Sequence, residues 1–299
     1  MNKVGVILIN WNGGYITKDC IDSLKAGSVI PAYIVVVDND SKDGSLQLLN
    51  DSYGDSIHLI KNCENKGFAE ANNQGIKYLI QVGVEYIWLL NNDTVVDTDC
   101  LKELMNVVDS CVDEKLGAVS SKIYYESQRD QVWFFGADRN KFSFAITHRT
   151  IDINQNLITP FISDCCIFAK TSVFQEFGGL QKQFIAYSED DEWCLRLERN
   201  GYHFICAYKS VLYHKVSASL KKNTGTFNKI SDMALSLMNR NHLWVIRKYA
   251  PHRLLSVFVM LAICLRNAFT TSEELKRISV YLRSIYHGLF DDIRFIRMK

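Results

Sequence analysis

Val4-Gly5-Val6-Ile7-Leu8-Ile9-Asn10-Trp11-Asn12-Gly13-Gly14 is a short, β-branched apolar run that stops at polar residues and glycines. Such a run reads as a buried strand handing over to a loop. The pattern returns along the chain. Residues 33–37 close on Asp38-Asn39-Asp40-Ser41, residues 57–60 lead into Asn65-Lys66-Gly67, and residues 86–90 close on Asn91-Asn92-Asp93. Between them, 17–24, 67–79 and 98–108 carry helical spacing, and Asp43-Gly44-Ser45 opens one more helix. Strand and helix alternate at short spacing, so the fold class is α/β, with a largely parallel sheet and helices on both faces. Ligands bind such sheets beyond the carboxyl ends of their strands. That rule places Trp11, Asp38, Asn65 and Asp93 along one rim.

The remainder is less regular. Strands are expected at 118–124, 131–135, 142–147 and 164–170, and a helix at 188–200, where Ser188 caps, acidic residues fill the first turn and Asn200-Gly201 terminates. Past Thr226 the chain reads as helical apart from a break at Pro251. Residues 254–265 are apolar except for Ser256, a run well short of the roughly twenty needed to span a bilayer. It reads either as a helix packed on the catalytic part or as one lying on a membrane surface. Arg247, Lys248, Arg253, Arg266, Lys276 and Arg277 around it suit anionic headgroups.

Bulk properties narrow the function. The 299 residues are 47% hydrophobic and 22% charged, with a formal net charge of +1, which offers no electrostatic footprint for nucleic acid. From Arg240 to Lys299, 11 Lys/Arg face 4 Asp/Glu. The nine cysteines form no C-x-x-C pair, the pattern of reduced, mostly buried thiols. The N-terminal residues lack the long apolar core of a signal peptide, so the catalytic part is expected in the cytoplasm.

Individual residues suggest chemistry. Trp11 can stack on a base, or be an ordinary half-buried tryptophan. Asp38 can accept from a base N–H or a ribose, and its surroundings also suit a turn. Asn92-Asp93, at the tip of a strongly apolar strand, can bind Mg²⁺ or Mn²⁺, which share oxygen ligands with substrate phosphates, or can form a turn. Glu189-Asp190-Asp191-Glu192 exceeds what a helix cap needs. Like charges there raise pKa values, and one carboxylate could act as a general base. His214 ends a strand and is either a ligand or structural.

Taken together, Ile9-Asn10-Trp11-Asn12, Val36-Val37-Asp38-Asn39-Asp40-Ser41, Asn65-Lys66-Gly67-Phe68-Ala69, Leu89-Leu90-Asn91-Asn92-Asp93, Glu189-Asp190 with Cys194-Leu195-Arg196, and Tyr213-His214 resemble the family 2 glycosyltransferases, and within them the bacterial rhamnosyltransferase-like branch. They occur in family order over roughly residues 3–215. The resemblance implies the GT-A nucleotide-diphospho-sugar transferase fold, with a catalytic domain over 1–225. Its nucleotide-binding half would span about 1–115 and its acceptor half about 116–225, followed by a helical basic extension over 226–299 that suits contact with the inner membrane.

The resemblance also implies roles. Trp11 would stack on the donor base, Asp38 would contact uracil or thymine, and Asn65 and Gly67 would belong to the loop beside the nucleotide. Asn92 and Asp93 would close a D-x-D-type motif, with Asp93 and His214 holding Mg²⁺ or Mn²⁺ and Asp190 as catalytic base. The implied reaction moves a sugar, with inversion, from dTDP-rhamnose or a UDP-sugar to a lipid-linked glycan acceptor in surface polysaccharide synthesis. Two positions depart from the pattern: Asn91 stands where a strict D-x-D has its first Asp, and Glu192 stands where the branch often has Asp. A nicotinamide oxidoreductase would want G-x-G-x-x-G after the first strand, and a sugar nucleotidyltransferase a basic Gly-rich loop; neither occurs. A catalytically inactive scaffold of the same fold is the remaining alternative.

Overall fold

The computed structural model describes residues 3–216 and 230–294. Strand and helix alternate first, through β1 (Val4–Asn10), α1 (Gly14–Lys25), β2 (Tyr33–Asp38), α2 (Ser45–Tyr53), β3 (His58–Lys61), α3 (Phe68–Val82) and β4 (Tyr86–Leu90). Then come β5 (Thr94–Val96), α4 (Cys100–Ser110), β6 (Leu116–Tyr125), β7 (Gln128–Phe134), β8 (Ala137–Arg139), β9 (Ile146–His148), β10 (Leu157–Thr159), β11 (Cys166–Lys170), α5 (Thr171–Phe177), α6 (Glu189–Glu198) and β12 (His203–His214). Four helices follow: α7 (Asp232–Tyr249), α8 (Arg253–Ala268), α9 (Ser272–Lys276) and α10 (Ile278–Phe290).

The main sheet runs β10-β12-β6-β11-β4-β1-β2-β3, with β5 added to β12 and β7 to β6. β1 lies at the centre of the parallel half, Val6 opposite Ile34 of β2 on one side and Trp88 of β4 on the other. A parallel strand covered on both faces must be apolar throughout, which is why residues 4–9 show no alternation. Glycines let α3 close on it: a Cβ on Gly5 would meet the Leu79 side chain, and one on Gly75 would meet Ile7.

The α/β expectation holds, with one qualification about direction. β11 inserts antiparallel between β4 and β6, Cys166 opposite Leu90. The start of β11, not its end, therefore lies at the carboxyl rim of β4. Two local expectations fail. The strand expected at 142–147 is reduced to β9, because Asn140 Oδ1 accepts from the amides of Phe142 and Ser143, both at 2.9 Å, and folds a turn in which Phe144 takes φ 60°. Ser188 does precede α6, but in the left-handed region at φ 65° with no side-chain cap bond.

The C-terminal helices break at Pro251 as expected. Phe144, Phe184 and Leu195 share an apolar cluster with Leu243, Trp244, Ile246 and Met260, so these helices dock against the β8–β9 turn and α6 through a common core. No helix among the described residues is long and apolar enough to cross a membrane. The domain boundary expected at 225/226 and residues 295–299 lie outside the described residues.

Candidate active site

The ends of β1, β2 and β4 are tied by one chain of polar contacts. Asn10 Nδ2 donates to Asp38 Oδ2 at 2.7 Å, the Ser41 amide donates to Asp38 Oδ1 at 3.0 Å, and Asn10 Oδ1 accepts from Thr17 Oγ1 at 2.7 Å. Thr17 in turn accepts from Asn92 Nδ2 at 2.8 Å. Asp38 is only 1% exposed. The turn reading of Asp38 is therefore present in the structure, with the side chain bracing the rim from beneath. Trp11, 56% exposed, offers an open aromatic face instead.

A second amide network sets the neighbouring loop. Asn39 Nδ2 donates to Asn65 Oδ1 at 2.9 Å, and the Asn39 side-chain oxygen accepts from the Lys66 amide. Asn65 Oδ1 also accepts from the Gly67 amide at 2.9 Å. Gly67 sits at φ 82°, and a Cβ there would lie 2.9 Å from the Ile185 carbonyl oxygen. Glycine is required twice over, for its dihedral and for its proximity to the loop that leads into α6.

β5 pairs with the end of β12, setting Thr94 opposite His214. This brings Asp93 Oδ1 within 3.1 Å of His214 Nε2, both side chains nearly buried. His214 Nδ1 is buried with no hydrogen-bond partner, and the ring meets Trp133 edge-on at 4.5 Å. One carboxylate oxygen and one imidazole nitrogen facing the same point fit a divalent cation that takes its other ligands from phosphates and water. Among the described residues no group of three or more His, Cys, Asp or Glu side chains could hold a metal, so from these residues such a site would draw on this pair alone.

The four acids in the first turn of α6 separate by partner. Asp191 is buried against Arg139 of β8 at 2.6 Å. Glu192, also buried, pairs with Arg196 at 2.9 Å and accepts from the Tyr249 hydroxyl at 2.7 Å. The departure at Glu192 is thus absorbed by an ion pair within α6 and a hydrogen bond that joins α6 to α7. Glu189 is buried with Oε2 unpartnered. Asp190 alone stays partly exposed, its carboxylate accepting from the Asp191 amide at 2.8 Å. Burial, then the neighbouring Asp164 and Asp191 charges, push the Asp190 carboxyl well above the usual carboxylate range.

Asp164 went unnoticed in the sequence. It precedes β11, and its amide donates to Asp190 Oδ2 at 3.3 Å. Burial raises its own pKa, with His214 lowering and Asp93 raising it. Asp164 therefore lies between the Asp93–His214 pair and the α6 acids. The available signal was an acid at the head of a strand, but only the antiparallel direction of β11 puts that head at the active rim.

The sequence model of "Glycosyl transferase family 2" matches residues 6–178. The chain belongs to that family. Among its relatives, the O-antigen chain rhamnosyltransferase RfbN of Salmonella typhimurium is 23% identical over 77% of this chain and 73% of its own length. The dTDP-rhamnosyl transferase RfbF of Shigella flexneri is 28% identical over 56% of this chain, which spans only 55% of that relative. These relatives support a rhamnosyltransferase-like branch. Among solved structures, GalNAc-T7 with UDP, GalNAc and Mn²⁺ aligns with TM-score 0.67 at 12% identity, covering 97% of this chain and 56% of its own. The mannosyltransferase PcManGT from Pyrobaculum calidifontis, in complex with GDP-Man and Mn²⁺, aligns at 0.58 and 14% identity over 98% and 85%. The fold of this family 2 glycosyltransferase is of the GT-A type. Its family match covers Trp11, Asp93 and Asp164 but stops short of Asp190 and His214.

Proposed function

We propose that this glycosyltransferase is inverting and metal-dependent, moving rhamnose from dTDP-rhamnose, or a hexose from a UDP-sugar, to a lipid-linked glycan acceptor. The observation that carries the reading is the sorting of the α6 acids. Three are buried and two of those are ion-paired, while Asp190 is partly exposed and accepts from the Asp164 amide. A base must meet its substrate's proton, and Asp190 is the acid of that helix's first turn open to one.

In this reading Trp11 carries the donor base, Asp38 holds the rim beneath it, and Asn65 and Gly67 shape the adjoining loop. Asn92 is fixed through Thr17, and Asp93 and His214 hold Mg²⁺ or Mn²⁺, whose charge would neutralise the diphosphate as it leaves. Asp190 takes the proton of the acceptor hydroxyl as that oxygen bonds to the anomeric carbon. The bond from that carbon to the nucleotide breaks on the opposite face and its electron pair leaves with the diphosphate. The matched relatives act in rhamnose transfer by name, which favours the dTDP donor. Residues 1–225 form the catalytic unit in this account, and the basic helices beyond it seat the enzyme on the cytoplasmic face of the membrane, beside its acceptor.

Asp190→Asn tests the assignment. Turnover should fall by about 10²–10⁴-fold, while donor affinity, measured by calorimetry with Mn²⁺ present, stays close to wild type. Near-wild-type turnover in that variant would refute Asp190 as the base. A wild-type enzyme that neither transfers nor hydrolyses any dTDP- or UDP-sugar would return the chain to the scaffold reading.

A further inference from the structure

Three of the five residues that lead into α6 are built against their own preferences. Ile185, Tyr187 and Ser188 adopt φ of 69°, 69° and 65°. A β-branched residue there is a genuine outlier, and such conformations persist only where the surroundings over-determine them. The loop has no regular ladder of its own, so its carbonyls need partners from elsewhere.

Those partners come from two sides. Asn241 of α7, wholly buried, directs its side-chain Nδ2 at three acceptors of the loop's bend: the carbonyls of Phe184 at 2.9 Å, Ala186 at 2.8 Å and Tyr187 at 2.8 Å. Its amide is oriented by Arg240, whose Nε donates to Asn241 Oδ1 at 2.9 Å and whose Nη2 reaches the carbonyls of Gln183 and Phe184. On the other side, the Ile185 carbonyl accepts from the amides of Phe68 at 2.8 Å and Ala69 at 3.2 Å, at the start of α3. The loop is gripped between the helix that begins beside the nucleotide rim and a helix of the C-terminal extension.

We infer that Asn241 is a positioning residue for the catalytic base. By holding the Phe184, Ala186 and Tyr187 carbonyls it fixes the strained entry to α6 and thereby the direction in which Asp190 faces the acceptor. The inference rests on the reading of Asp190 as base. It makes the C-terminal extension part of the catalytic device, since Asn241 does not touch the reacting atoms and acts only through the loop.

The test compares Asn241→Ala with Leu243→Ala, the latter a buried α7 residue that packs against Gly288 and whose apolar side chain offers the loop no hydrogen bond. Both are assayed well below their melting temperatures, with kcat, donor KM and donor Kd measured for each. Asn241→Ala should lower kcat by about tenfold or more, since small misplacements of a reacting group are costly, with donor Kd within about twofold of wild type. Leu243→Ala should lower the melting temperature and keep kcat. Asn241→Ser, which retains one donor, should fall between wild type and Asn241→Ala, and it stands in should the alanine variant not fold. Equal kcat in Asn241→Ala and wild type would overturn the inference, as would kcat losses that follow melting temperature alike in Asn241→Ala and Leu243→Ala. If Asp190→Asn itself retains turnover, the fault lies in the base assignment; if it is inactive while Asn241→Ala is fully active, only the positioning role fails.

Discussion

Glu189 is the residue whose cost is most visible. It is buried, its Oε2 finds no partner, and burial followed by the charges of Asp164 and Asp190 holds its pKa well above the ordinary carboxylate value. A carboxyl with a raised native pKa binds its proton more tightly folded than unfolded. Stability is thus fully present below the unfolded pKa and is lost as pH rises through the folded one. Glu189→Gln mimics the protonated form and removes one of the crowded charges. It should melt a few degrees higher than wild type near pH 7–8, and calorimetry at descending pH should show the gap closing toward pH 4. A gap of the same size at every pH would mean that folding does not raise the Glu189 pKa. The same crowding lifts Asp190, so a base with this environment loses its ionised form at a higher pH than an isolated aspartate would.

Elements built from local periodicity were legible in the residues themselves. The apolar runs ending at Asn10, Asp38 and Leu90 became β1, β2 and β4, because a strand covered on both faces must be apolar along its length. What periodicity does not encode is direction and partner. Residues 164–170 read as a strand, yet nothing local shows that β11 runs antiparallel, and so Asp164 was missed. Ser188 reads as a cap, but the grip of Asn241 and the α3 amides bends the loop into the left-handed region, and the serine hydroxyl makes no cap bond. Gly67 shows how tightly these elements meet. Gly67→Ala would force a side chain into φ 82° and set its Cβ against the Ile185 carbonyl. We expect a loss of about 1–3 kcal/mol in urea unfolding, accompanied by lower kcat because the displaced Ile185 belongs to the loop that carries Asp190. An alanine variant with unchanged stability would show that the α3 entry yields easily and that the two loops are not rigidly coupled.

At the scale of the molecule, the C-terminal helices present two faces. The inner one packs on the catalytic part and supplies Asn241 and Tyr249. The outer one is apolar and open: Leu254 and Phe258 of α8 are 82% and 70% exposed, Leu265 and Phe269 continue the same stripe one and two turns beyond Ala262, and Leu282, Tyr286 and Phe290 extend it along α10. Arg253, Arg266 and Arg283 are exposed along these helices. Apolar side chains with arginines nearby match an anionic lipid surface, where each basic residue contributes about 1 kcal/mol, so three would raise affinity by roughly a hundredfold over neutral lipid. The full-length enzyme should therefore sediment with vesicles containing phosphatidylglycerol, release as salt is raised, and bind phosphatidylcholine vesicles far more weakly. Phe258→Glu combined with Phe269→Glu should abolish sedimentation while leaving transfer to a water-soluble acceptor unchanged, since neither residue belongs to the Asp190 loop. If wild type ignores anionic vesicles and instead dimerises with rising concentration, and the double variant is monomeric, then this face is covered by a second copy and not by lipid.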